Sequence, residues 1–205
     1  MSDSWIRVPK ARLGTWGHHI DAAGYCTWWG FSLIELLVVL AILGFLLAWG
    51  GVYLVVNLDN YRINAATRDL IGTLHKSRMT AIRNNAETAV FFDPVNGTYS
   101  LCTANGDGEW STRGDNTCPQ IVRLASYASG IRYGHGKATE AIGESFGADE
   151  ISYTANRVVF TSRGTARHAG YAYITNDAGQ ARAVGTLTIG TILAKRWNGT
   201  RWEAY

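Results

Sequence analysis

One carboxylate at the edge of a long apolar stretch has the clearest chemical implication in this sequence. Glu35 lies in "GFSLIELLVVLAILG", five positions after Gly30, and the 21 residues from Leu36 to Val56 carry no charge. A carboxylate close to hydrocarbon is costly unless a cation pairs with it. The position therefore predicts either an ion pair shielded from water or an interfacial residue that reaches lipid headgroups.

Catalytic and metal-binding patterns are absent from the rest of the sequence. Its five histidines are scattered, without an H-E-x-x-H motif or a nucleophile elbow. Asp107, Glu109 and Asp115 do not have the spacing of an EF-hand, so we expect solvated loop carboxylates there, with Ca²⁺ binding as the alternative. The sequence predicts a protein that is not an enzyme and that has no cofactor and no metal site.

The charge-free run has the length of a membrane span. At ~1.5 Å per helical residue, a helix of this length crosses a hydrocarbon core of ~30 Å. Three basic and two acidic residues precede it within the first 30 positions, which favours a cytoplasmic N-terminus. No A-x-A cleavage site follows closely, so we expect the apolar segment to be retained.

After the apolar run, residues 57–85 have polar and apolar residues at helical spacing. Ile63, Leu70, Leu74 and Ala81 fall on one face. The pair "NN" at positions 84 and 85 is a typical helix stop. The two segments together predict one long helix, whose first half lies in lipid and whose second half packs on a globular domain.

From residue 86 onward the periodicity is that of strands. Segments such as "ETAVFF", "GTYSLC", "PQIVRLASY", "RVVFTS", "GYAYITN", "ARAVGTLTIG" and "TILAKRW" are rich in β-branched and aromatic residues. Asn198-Gly199 between Trp197 and Trp202 predicts a tight hairpin. Residues 103–117 and 134–150 are expected to be loops.

The N-terminal motif resembles the class III signal of type IV pilins and type II secretion pseudopilins. The family pattern has a glycine, a hydrophobic residue, three more residues, a glutamate and an apolar helix. Gly30, Phe31 and Glu35 match it. The resemblance implies that a prepilin peptidase cleaves between Gly30 and Phe31 and that Phe31 is N-methylated. It also implies that Glu35 of one subunit pairs with the α-amine of a neighbour during filament assembly.

The C-terminal part resembles the GspH/FimT group of minor pseudopilins and minor pilins. The residues that carry this resemblance are "RVVFTSRGTA", "GYAYITN" and "ARAVGTLTIGTILAKRW", while the G-R-x-R pattern of the group is not matched at "GTILAKR". The resemblance implies an α+β pilin-like fold, with a long N-terminal helix on an antiparallel β-sheet domain.

The implied organisation is a leader (1–30), a transmembrane and assembly helix (31–56), its periplasmic continuation (57–85) and a β-rich domain (86–205). The implied function is that of a structural subunit of a type II secretion pseudopilus or a type IV pilus, which acts in initiation or tip assembly and in protein secretion. The expected partners are prepilin peptidase, other pilins and an inner-membrane assembly platform. The expected location is the bacterial inner membrane, in a single pass with the C-terminal domain in the periplasm.

Within this resemblance the cysteines predict a disulfide. Cys26 lies in the leader, which leaves Cys102 and Cys118 on the side that would face the periplasm, where disulfides persist. We expect them to form a bridge around the loop 103–117; two free buried thiols are the alternative.

The distribution of charge suggests a second function. Residues 151–205 contain seven Lys/Arg and two Asp/Glu, although the whole chain has a net charge of only +3. Some FimT-like minor pilins bind DNA in natural transformation, and a basic face beside tryptophans suits phosphate contact and stacking. An ordinary solvated surface is the alternative. The candidate DNA-binding residues are Arg163, Arg167, Arg182, Lys195, Arg196 and Arg201.

Processing can be tested directly. In a host with prepilin peptidase, we expect the mature protein to begin at a methylated Phe31, and we expect Gly30→Ala to leave the precursor uncut. Intact-mass measurement checks both outcomes. Retention of Met1 in the wild-type protein, or cleavage after the apolar run, would contradict the prediction.

Overall fold

The computed structural model describes residues 31–104, 110 and 116–205, and for residues 49–57 it describes the helical backbone alone. The chain divides into two compact units, Met1–Leu46 and Leu47–Tyr205. The predicted leader, including Gly30 and Cys26, lies outside the described residues.

A single helix, α1 (Leu33–Asn84), contributes to both units. Every side chain from residue 31 to residue 46 is exposed, although this stretch is almost entirely apolar. Within the residues that the structure describes, which omit the side chains of 49–57, no helix has the length and apolar character needed to cross a membrane. The predicted transmembrane helix over 31–56 is therefore not confirmed.

In the second unit, one face of α1 forms the centre of the hydrophobic core. Ile63, Ala66, Leu70, Leu74 and Ala81 are completely buried. Their spacing of three, four or seven residues places them on one side of a helix with 3.6 residues per turn. The helical face predicted from the sequence is confirmed.

The helix ends at the predicted place. Asn84 is its last residue, and Asn85 adopts a left-handed backbone conformation with φ of 49°. Asparagine tolerates this conformation better than most residues, so it serves as a helix terminator. The backbone NH of Ala86 then bonds to the carbonyl of Ala81, which closes the end of the helix.

Two antiparallel sheets pack with α1. In the described residues the first sheet contains β1 (Thr88–Asp93), β2 (Thr98–Thr103), β3 (Thr117–Arg123) and β5 (Arg157–Phe160) in the order β3-β2-β1-β5. The second contains β4 (Arg132–Tyr133), β6 (Gly170–Thr175), β7 (Ala181–Thr186), β8 (Ile192–Trp197) and β9 (Trp202–Ala204) in the order β4-β6-β7-β8-β9. This helix with antiparallel sheets confirms the predicted α+β class.

The strand predictions agree with the structure except at short elements. Each of the seven quoted segments overlaps one of the observed strands, and Trp197 pairs with Trp202 in the predicted hairpin. The two-residue strand β4 is too short to produce a recognisable alternation in the sequence. It pairs with β6 through Arg132–Thr175 and Tyr133–Ile174.

The central strands of both sheets, β1, β2, β6 and β7, bury both of their faces. In β1, Val90 and Phe92 point into the core with α1, while Ala89 and Phe91 belong to a second cluster with Trp110. In the second sheet, Tyr171 and Tyr173 form a third cluster, against which Ile142 and Phe146 of the predicted loop 134–150 pack. These strands are therefore buried almost throughout instead of alternating between buried and exposed residues.

Polar contacts fix the helix against the first sheet. The carboxylate of Asp69 accepts hydrogen bonds from the Tyr99 hydroxyl at 2.5 Å and from the Tyr127 hydroxyl at 2.7 Å. Burial raises the pKa of Tyr99, and the hydrogen bond to Asp69 raises it further. Both tyrosines thus remain neutral donors to the carboxylate. Farther along the helix, the Ser77 backbone carbonyl accepts a hydrogen bond from the Thr88 hydroxyl at 2.8 Å.

Removal of core volume on α1 should destabilise the second unit strongly. Leu70 is fully buried, so we expect Leu70→Ala to lower the free energy of unfolding by about 2–5 kcal/mol. Met79 lies on the same helix but is 63% exposed, and Met79→Ala should change stability by about 0.5 kcal/mol or less. Denaturant unfolding of the full chain in non-ionic detergent, followed by near-ultraviolet circular dichroism, measures both. Equal effects of the two substitutions would contradict the assigned core.

Candidate functional site

The predicted assembly motif is placed at the very start of α1. Phe31 is 78% exposed and precedes the helix, while Glu35 lies in its first turn. Ser32 caps this end: its backbone carbonyl accepts from the NH of Leu36 at 3.1 Å, and its hydroxyl oxygen accepts from the NH of Ile34 at 3.3 Å. The cap fixes where the helix begins and thereby places Glu35 about one helical turn from Phe31.

Electrostatics and exposure make this end of the helix suited to contact with another molecule. A carboxylate in the first turn interacts favourably with the helix dipole. Among the described residues, Glu35 forms no ion pair within the chain. A helix that is apolar on all sides is normally covered by other helices or by lipid.

The predicted disulfide between Cys102 and Cys118 is present. It links β2 to β3, at a point where the pairing of the two strands shifts register between Leu101 and Thr103. Cys102 is fully buried in the cluster around Phe91 and Trp110. The bridge thus joins the ends of the loop 103–117; the loop residues 105–109 and 111–115, including Asp107, Glu109 and Asp115, lie outside the described residues.

Trp110 anchors this loop and was not identified from the sequence. Its indole NH donates to the Glu87 carboxylate at 3.1 Å, and its backbone carbonyl accepts from Arg157 at 2.9 Å. Its ring lies 5.8 Å from that of Phe91. The only sequence signal was a tryptophan in an otherwise polar loop, which is unusual unless the ring packs against something.

The six candidate DNA-binding residues do not share one surface. Arg182 is only 7% exposed. It lies directly opposite Arg196 on the neighbouring strand, so both belong to the same face of the sheet. Lys195 adjoins Arg196 along β8, and successive side chains of a strand point to opposite faces. Arg163 is exposed in the turn after β5.

Acidic side chains form ion pairs with three of these six residues. Arg167 forms two hydrogen bonds to Glu87, at 2.7 and 2.9 Å. Arg196 and Arg201 share Glu203, each at 3.6 Å. The basic segment therefore contains local ion pairs rather than one continuous basic face.

The histidines do not assemble a metal or catalytic centre in the described part of the chain. His135 contacts the Glu150 carboxylate at 2.8 Å and stacks on Phe146 with ring centroids 4.2 Å apart. Among the described residues, no group of three or more His, Cys, Asp or Glu side chains is arranged to hold a metal ion. The contact between His135 and Glu150 joins the two ends of the segment 134–150, which packs on the second sheet through Ile142 and Phe146.

Two family models match the sequence. The prokaryotic N-terminal methylation motif matches residues 30–50, which include Phe31 and Glu35. The family described as type II transport protein GspH matches residues 66–190. No significantly similar sequence is found among the curated proteins.

Solved structures with a similar arrangement have low sequence identity to this chain. The type IV minor pilin FimU of Pseudomonas aeruginosa is 10% identical to this chain. The match covers 71% of this chain and 95% of the FimU chain, with a TM-score of 0.46. The minor pseudopilin EpsH of the type 2 secretion system of Vibrio cholerae is 13% identical to this chain. The match covers 69% of this chain and 95% of the EpsH chain, with a TM-score of 0.44.

The disulfide should contribute measurably to stability. It closes a loop with a sequence separation of 16, for which chain entropy gives about 3 kcal/mol. We expect the double variant Cys102→Ser, Cys118→Ser to lose about this free energy of unfolding, without a change in secondary structure. The wild-type protein in reductant is the matched comparison and should unfold as easily as the variant. The prediction fails if reductant destabilises the double variant as much as the wild type.

Proposed function

The chain belongs to the type II transport protein GspH family, and from this we propose that it is a minor pilin or pseudopilin, a structural subunit that acts in initiation or tip assembly of a pilus or pseudopilus. The observation that carries the proposal is the combination of an apolar helix start, exposed on every side around Glu35, with a folded domain built on the second part of the same helix. Such a chain can insert its helix start among other helices while its domain remains folded.

Cleavage before Phe31 would create an α-amino group, which is a cation that can pair with the Glu35 carboxylate. The methylation motif begins at residue 30, which supports removal of the leader at that point by prepilin peptidase. The new α-amine of Phe31 would lie one helical turn from Glu35 of its own chain and could reach Glu35 of a neighbouring subunit. Pairing across subunits neutralises two charges in apolar surroundings and selects one axial register, because in any other register neither charge meets its partner on the neighbouring subunit.

Before assembly, no neighbouring subunit shields the apolar start of the helix from water, so other surroundings must do so. We propose that it is held in the bacterial inner membrane, in a single pass with the β-rich domain in the periplasm. The disulfide between Cys102 and Cys118 supports the periplasmic placement, since such bonds persist in oxidising compartments. An inner-membrane assembly platform would then transfer the subunit from lipid to the filament, where other pilins cover the helix.

DNA binding in natural transformation, the alternative from the basic C-terminal segment, has less support. Such binding rests on several lysines and arginines that release counterions together from one surface. Arg167, Arg196 and Arg201 are instead paired with acidic side chains, and Arg182 is buried. The assembly function therefore accounts for more of the structure.

Replacement of the motif carboxylate tests the proposal. We expect Glu35→Ala to be processed and to remain with the membrane fraction, but to enter filaments at least about tenfold less. The physical reason is that the neighbour's buried amine would lose its partner, which costs about 3–5 kcal/mol. Immunoblots of sheared-filament and membrane fractions measure the ratio.

Glu144→Ala is the matched control, because Glu144 is an exposed carboxylate in the segment 134–150, outside the helix. It should enter filaments normally. Normal incorporation of Glu35→Ala would remove the role assigned to this carboxylate.

A further inference from the structure

Three arginines line one open cavity at the junction of α1 and the second sheet. The cavity has a volume of about 380 Å³ and is lined by Arg68, Arg182 and Arg196 together with Asn64, Ala204 and Tyr205. We call it the arginine pocket. Arg68 follows Asn64 by one helical turn, and Arg182 and Arg196 are paired residues of β7 and β8. Helix and sheet thus bring the cations of α1, β7 and β8 to one place.

Arg182 is held in position by neutral acceptors. Its Nε and Nη2 donate to the side-chain oxygen of Asn64 at 3.2 and 3.1 Å, and its Nη1 donates to the carbonyl of Ala181 at 3.0 Å. The ring of Tyr205 lies 5.8 Å from its guanidinium carbon. A guanidinium has five N–H groups, so donors on Nη1 and Nη2 remain free for a further acceptor.

The charges in the pocket are not balanced. No ion pair of Arg182 or Arg68 is present among the described residues, and Glu203, the acidic partner of Arg196, is shared with Arg201. Burial lowers the pKa of Arg182; Tyr205 opposes this effect and the adjacent Arg196 adds to it. Like charges directly opposite each other on a sheet are destabilising, and a buried charge without a counter-charge is costly.

An anion in the pocket would relieve both costs, and its chemistry follows from the donors. Guanidinium groups present forked donors that match the oxygens of carboxylates and phosphates. With three arginines and one shared carboxylate, a phosphate with up to two negative charges compensates more of the excess than a single carboxylate does. We propose that the arginine pocket binds a phosphate group, either as free phosphate or as a phosphate of a single nucleic-acid strand.

This proposal goes beyond filament assembly and does not depend on it. The residues of the pocket lie in the second unit, whereas Phe31 and Glu35 lie in the first. Loss of phosphate binding would leave the assembly role untouched, and a failure of assembly would leave the pocket untouched.

Titration of the full chain in non-ionic detergent with inorganic phosphate tests the proposal by calorimetry. We expect saturable binding at one site. Arg68→Gln and Arg196→Gln should each weaken it by roughly tenfold or more, since a charge-assisted hydrogen bond is lost. Both side chains are exposed enough for the fold to survive, which circular dichroism verifies. Arg163→Gln, an exposed arginine outside the pocket, is the control and should bind like the wild type.

The source of the phosphate is distinguished by competition. A short single-stranded oligonucleotide that displaces phosphate from the wild-type chain, and that is weakened by the same two substitutions, identifies a nucleic-acid phosphate as the ligand. An oligonucleotide that fails to displace bound phosphate identifies the free ion. Absence of saturable phosphate binding to the wild type, or equal weakening by Arg163→Gln, would overturn the proposal.

Discussion

Burial of one face of α1 is the interaction on which the folded domain depends. The two sheets do not exchange backbone hydrogen bonds as strand neighbours in the described part of the chain. They are joined because residues from both, such as Val90 and Ile174, belong to one cluster with Ile63 and Leu70 of the helix. The helix also supplies the polar partners that orient each sheet, Asp69 for the first and Asn64 for the second. A sequence change on this face would therefore act on both sheets together.

The same helix explains how the chain can have a folded domain and also an apolar segment without a protein cover. Its second part is covered by the domain, while the first unit leaves the side chains of residues 31–46 uncovered. Exposed apolar surface on this scale is costly in water, so lipid or other helices must cover it. The domain does not depend on that cover, because the core residues that the structure describes begin at Ile63. The fold of the domain and the exposed start of the helix can thus be altered separately.

Local patterns in the sequence were sufficient for most of the fold. Helical spacing identified Leu70 and Leu74 as core residues, and Asn198-Gly199 identified the terminal hairpin, because each signal depends on neighbours in sequence. Burial of Arg182 was not predictable in this way. Its main side-chain partner is Asn64, 118 positions earlier, and only the packing of β7 against α1 brings the two together. Trp110 was missed for the same reason, since Glu87 and Arg157 are distant in sequence.

The basic C-terminal segment shows why net charge and local electrostatics must be separated. Seven basic and two acidic residues suggested a continuous basic face. In the fold, Glu87 forms an ion pair with Arg167, and Glu203 forms ion pairs with Arg196 and Arg201. Among the described residues, Arg182 donates hydrogen bonds to neutral acceptors and lies beside Arg196. Part of the excess positive charge is therefore placed at the arginine pocket, through Arg182 and Arg196. A concentrated excess favours one small anion held by directional hydrogen bonds, whereas a spread excess would favour loose, strongly salt-dependent contact with a polymer.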